Sequence, residues 1–158
     1  MIEKLPEQIL QGLEQNLYQL SLFTVLTLPD IGGAIDSGSS ENNGKRYKKW
    51  FKKYARPKFN HFSRKTFSAD TCWKIRCSLL HQGISKHDFL DLEYPENFYS
   101  PGIFGDEKES LKIDIDSFCR KMVDAFYDWI EDVGNTDRFK KDAQNIANIS
   151  KAVFKFNE

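Results

Sequence analysis

The chain has 158 residues, enough for one ordinary domain with a buried core and too few for two. Hydrophobic residues at 40% and 13 phenylalanines exclude a disordered chain, and no apolar run reaches the roughly 18 residues of a membrane span. Its 23 basic and 23 acidic side chains cancel to zero, but residues 45–65 carry ten bases and no acid, while residues 88–137 carry 14 acids against four bases. A field so divided can steer a polyanion to one face, or let the basic face of one subunit meet the acidic face of another. A solvated, charge-rich helix surface would look the same.

In chain order, Pro6 suits a first helical turn, and Ile9, Leu10, Leu13, Leu17, Leu20 and Phe23 follow at helical spacing. One long amphipathic helix is predicted over 6–27, stopped or bent at Pro29. The stretch 29–44, rich in Gly, Ser and Asn from Gly32 on, reads as a loop after at most a short turn of helix. From Lys45 to Ala55, Tyr47, Trp50, Phe51 and Tyr54 fall at i, i+3, i+4 and i+7, an aromatic stripe facing the core with lysines outside. Arg56-Pro57 ends that helix.

Ser68 is a suitable N-cap for a helix to about Gln82, with Asp70 in its first turn, Cys72, Ile75, Leu79 and Leu80 on the core side, and Gly83 as the stop. Residues 87–94 and 111–115 alternate as a small antiparallel pair would, giving a hairpin within 87–115. Asp116 or Ser117 opens another helix, with Phe118, Met122, Ala125, Phe126, Trp129, Ile130 and Val133 on one face before Gly134. Residues 136–150 form a weaker last helix through Phe139, Ala143, Ile146 and Ile149. The expectation is a mainly α, single-domain bundle of about five helices spanning 1–158, with a small β-hairpin.

The three cysteines, Cys72, Cys77 and Cys119, form no CxxC. Cys72 and Cys77 stand five apart on one helix, so they point about 140° from each other and share neither a disulfide nor a metal. With only His61, His81 and His87 beside them, no metal or cofactor site is expected. Reduced thiols, and an N-terminus without the basic start and apolar core of a signal peptide, lead to the expectation of a cytoplasmic protein. No P-loop or dinucleotide fingerprint is present. Cys77 and His81, four apart, could meet on one helix face, but a cysteine among leucines is more often a small core residue.

The segment that points to chemistry is Arg76-Cys77-Ser78-Leu79-Leu80-His81, an arginine followed after four residues by a histidine near a helix end. In a helical domain this resembles the Arg-x(4–6)-His motif of the HEPN superfamily, with Cys77 standing where many such motifs have a polar residue. The blocks Leu28 to Ile35, Gly44 to Phe51 and Asp70 to Gly83 look like those of a group of small bacterial and phage-type proteins. The resemblance implies a homodimeric, metal-independent endoribonuclease or RNA-binding protein of a toxin, phage-defence or stress system, with a cognate antitoxin or regulatory protein among its partners. Neutral His81 would move the 2′-hydroxyl or leaving-group proton, and Arg76 would hold the phosphate. Lys45, Arg46, Lys48, Lys49, Lys52 and Lys53 would form the RNA approach surface. The competing expectation is a non-catalytic interaction module, in which Arg76 pairs with Asp70 or an acid of the 116–133 helix and His81 bonds the last carbonyls of its own helix.

Overall fold

The computed structural model describes residues 2, 4–37, 41–60, 67–82, 90–93, 103–105 and 111–143, with side chains for all of these except 81–82, 90–93, 103–105 and 111–113. It is mainly helical. Helix α1, Lys4–Glu14, buries Pro6, Ile9, Gly12 and Leu13. The single helix expected over 6–27 does not form. Asn16 takes φ 59°, a left-handed conformation that Asn tolerates better than most residues, and the chain turns back into α2, Tyr18–Val25. The two helices close tightly: a Cβ at Gly12 would lie 2.5 Å from Ser21 Oγ, and that buried hydroxyl donates to the Ile9 carbonyl at 3.2 Å. Leu17 and Leu20, expected on the buried stripe, are consequently 46% and 62% exposed.

Helix α3, Leu28–Ser37, replaces much of the loop expected over 29–44. Pro29 begins this helix rather than merely ending the one before, since a first-turn residue has no intrahelical N–H bond to lose. Gly32 and Gly33 are buried at the crossing with α4, Asn43–Trp50. A Cβ at Gly33 would stand 2.8 Å from the Arg46 carbonyl oxygen, and one at Gly32 would run into the Trp50 indole. These glycines provide close approach between helices, not loop flexibility.

Asn42 caps α4 by accepting from the Gly44 N–H at 2.9 Å. The helix widens into a π-helical turn over Phe51–Ala55 and tightens into a 3-10 turn over Arg56–Phe59, where Pro57 ends regular α structure. Tyr47, Trp50, Phe51 and Tyr54 are all buried, as the stripe predicts. Helix α5, Ala69–Gln82, starts where expected, with the Thr71 N–H donating to Ser68 Oγ at 3.1 Å. Cys72, Ile75 and Leu79 face the core. The expected stop at Gly83 lies outside the described residues.

Three short strands follow: β1, Leu90–Glu93; β2, Ile103–Gly105; and β3, Leu111–Asp114, in the order β1-β3-β2. The expected pair is present with the opposite polarity: Leu90 faces Leu111 and Glu93 faces Asp114 in parallel. The antiparallel partner of β3 is β2, from the segment expected as connecting loop, with Ile103 opposite Ile113. An intervening third strand reverses the chain once more, which is why the two alternating segments end up running the same way.

Helix α6, Ile115–Val133, begins one to two residues earlier than predicted because Asp114 is the cap, accepting from the Asp116 N–H at 3.1 Å. Its apolar face buries Phe118, Met122, Ala125, Phe126 and Trp129, with Ile130 and Val133 packed at the margin. Helices α1, α2 and α3 and the π-helical turn all pack on it. Rings fill the centre: Phe126 and Trp129 lie 4.9 Å apart, as do Phe59 and Phe67. Residues 137–143 are helical, and Phe139 closes on Trp129 at 5.5 Å. Ile146 and Ile149 of the expected last helix lie outside the described residues.

Candidate functional site

Arg76 projects from the middle of α5, where Nε donates to Asp30 Oδ2 of α3 at 2.8 Å. Its guanidinium carbon lies 5.2 Å from the Trp73 ring centroid. With 18% of the Arg76 side chain and 23% of Asp30 exposed, the pair sits at the rim of the core. Burial there would lower the guanidinium's affinity for its proton, but the hydrogen bond and charge of Asp30 outweigh it and hold the pKa above the ordinary arginine value. Behind the pair, the buried Tyr47 hydroxyl and Cys72 thiol lie 3.2 Å apart. Burial pushes Cys72 up to about 12, so this thiol is inert near neutral pH.

His81 belongs to the last turn of α5, and its side chain lies outside the described residues. Positions five apart on a regular α-helix diverge by about 140°, and α5 is regular from Ala69 to Gln82. Arg76 and His81 of one chain therefore do not converge on one phosphate. The acid that holds Arg76 is neither Asp70 nor a residue of α6, the two expected partners. It is Asp30, 46 positions upstream, and no local spacing signals it. Trp73, three residues before Arg76, was within reach of the i, i+3 rule.

The basic segment is partly neutralised by its own fold. Lys48 Nζ meets Asp70 at 2.9 Å, Lys53 Nζ meets Asp132 at 2.7 Å, and Lys58 Nζ meets Asp128 at 2.6 Å. Hydrogen bonding by Lys48 holds the Asp70 carboxyl below the ordinary carboxylate value, and Asp132 raises Lys53 above the ordinary lysine value. The Tyr54 hydroxyl also donates to Asp132, at 2.6 Å, and burial with that bond pushes it up to about 12. Arg46 is half-buried and bonded to Asn43 Oδ1. Lys45, Lys49 and Lys52 are exposed on the outer side of α4 and the π-helical turn, and Lys52 and Lys74 both lie close enough to Asp70 to lower its pKa. The opposed charge blocks of the sequence thus meet inside one chain, through Asp128 and Asp132 of α6.

Among the described residues, no group of three or more His, Cys, Asp or Glu side chains could hold a metal ion. No described helix is long and apolar enough to cross a membrane. Cys72 and Cys119 are buried and Cys77 is half-buried. His61 and His87 lie outside the described residues. A shallow groove of about 460 Å³ runs along Asn16 to Leu20 and Phe23, and a hollow of about 240 Å³ lies between Ile35, Asp36, Val133 and Phe139. Arg76 lines neither.

Comparison with protein-family models, with curated proteins and with solved structures finds no match to this chain. No residue role is carried over from a relative.

Proposed function

We propose that this is a HEPN-like helical domain that acts on RNA as a homodimer, by metal-independent cleavage or by binding, with Arg76 and His81 as the chemical pair. A toxin, phage-defence or stress role, with a cognate antitoxin or regulatory partner, is part of this reading. The observation that carries it is the packing of α5 on α4. Trp73, under the Arg76 guanidinium, meets Tyr47 at 5.1 Å between ring centroids, and Lys48 reaches Asp70. The helix holding Arg76 and His81 therefore lies against the helix that exposes Lys45 and Lys49. Exposed lysines draw in a phosphate backbone, and Arg76, oriented by Asp30, offers a fork of donors to one phosphate.

In the cleavage step, a neutral imidazole takes the proton of the 2′-hydroxyl while that oxygen attacks phosphorus. The bond to the 5′-oxygen breaks, the leaving oxygen takes up a proton, and a 2′,3′-cyclic phosphate remains. Because Arg76 and His81 of one helix diverge, the two groups on a given phosphate come from different chains. Wild-type protein incubated with RNA in EDTA is expected to yield cyclic-phosphate ends, and a 2′-deoxy substitution at the cut site to block them. Arg76→Ala and His81→Ala should abolish cutting with the far-UV circular dichroism unchanged. Cutting that persists in both variants, or wild-type protein that neither cuts nor binds RNA, overturns the reading.

The Arg76–Asp30 ion pair favours a second reading, a non-catalytic interaction module in which the guanidinium ties α5 to α3. In that case Asp30→Ala and Arg76→Ala lower thermal stability alike and leave RNA untouched.

A further inference from the structure

The turn between α1 and α2 is built inside out. Ser21, a polar residue, is buried against the Ile9 carbonyl, while Leu17 and Leu20 of the same hairpin stand in solvent. Among the described residues three large hydrophobic side chains are exposed, and these are two of them. They are not scattered: with Phe23 and Tyr18 they line the groove of about 460 Å³, edged by Asn16 and Gln19. Clustered apolar exposure with a polar rim is the anatomy of a contact surface.

The charge pattern says what covers it. Residues 15–29 contain no charged side chain, in a chain where 29% of residues are charged. A charged partner has nothing here to pair with and would lose hydration on docking. The rim carries Gln15, Asn16 and Gln19, all exposed, and an amide both donates and accepts hydrogen bonds. A face with an apolar centre and an amide rim is complementary to itself across a two-fold axis, where a rim of one charge sign would repel its copy. The groove also receives what the same face presents, since the 62% exposed Leu20 is a knob beside it.

We infer that this face, centred on Leu17 and Leu20, is an isologous interface between two copies of the chain. The inference stands on the exposed apolar face and not on RNA chemistry, so it survives or fails independently of the proposed function. Sedimentation equilibrium of the full chain over micromolar concentrations is expected to show a dimer. Leu20→Glu should raise its dissociation constant about 100-fold or more, by placing a carboxylate in the apolar centre of each half. Leu17→Glu/Leu20→Glu together should give a monomer with the circular dichroism of the wild type, since both side chains are exposed within the subunit. A wild type that stays monomeric, or a double variant that still dimerises, overturns the inference. Monomeric wild type that floats with phosphatidylcholine vesicles also overturns it, and assigns the face to a lipid surface instead.

Discussion

Helix α6 and the α1–α2 hairpin start from the same kind of sequence, a long stretch with apolar residues at helical spacing, and end in different structures. In α6 every apolar position of the face meets the core, and the helix runs unbroken from Ile115 to Val133. In the hairpin the periodicity continues through Leu17 and Leu20, but Asn16 turns the chain and puts both in solvent. Periodicity shows which residues could share a face. Whether they do depends on one backbone conformation and on what lies opposite.

The largest test of this contrast is on α6. Trp129 is fully buried against Phe126, Trp50 and Phe139 and donates to Asp36 at 2.9 Å, so Trp129→Ala should cost about 3–5 kcal/mol in urea unfolding. Leu20→Ala, removing a larger apolar side chain from an exposed site, should shift the same curve of the monomeric chain by about 0.5 kcal/mol or less. If the two losses were alike, the division into a packed helix and an outward-facing hairpin would be wrong.

Next comes the closeness of the hairpin. Gly12→Val should destabilise by about 1–3 kcal/mol, because its Cβ meets the buried Ser21 hydroxyl. Adding Ser21→Ala should return part of that loss, a coupling measurable in a double-mutant cycle. Smaller still is the turn: Asn16→Ala should lower stability by about 1 kcal/mol while Asn16→Gly leaves it nearly unchanged, read as thermal midpoints. Equal behaviour of the two variants would remove Asn16 as the cause of the break.

The smallest effect belongs to a surface charge. Lys48 lowers the Asp70 carboxyl, so that group's folded pKa lies below its unfolded value of 3.8. Its contribution is complete above the unfolded value and is lost as pH falls through the lower folded one. Both side chains are substantially exposed, so Asp70→Asn should cost less than about 1 kcal/mol at neutral pH, and the difference from wild type should vanish near about pH 2. A gap that persists in acid would mean that Asp70 acts through something other than its charge.

What was legible in the sequence is what short-range physics determines. The aromatic stripe of Tyr47 to Tyr54, the Ser68 cap and the face of α6 each depend on spacing within a few turns of helix. Asn16 was illegible because its positive φ is permitted to Asn but not required of it. Gly32 and Gly33 read as a loop because their function, close approach to Trp50 and Arg46, depends on a helix ten or more residues away. The same holds at the candidate site: Arg76 stood out by its spacing from His81, while Asp30, which orients it, belongs to another helix. The parallel pairing of β1 with β3 was hidden by a strand between them that has only three residues.

The wide turn over Phe51–Ala55 makes the chain sensitive to length as well as to composition. A π turn holds about one residue more than the α turn it replaces, and each residue advances an α-helix by about 100°. Deleting one residue there would let the turn relax to α while rotating everything after it. Phe59 would swing out of its cluster with Phe51, Phe67 and Phe118, and Lys58 would leave Asp128. A stretch that looks by composition like replaceable surface lysine therefore acts as a phase-setting spacer, tolerant of which residue stands at Lys52 and intolerant of how many there are.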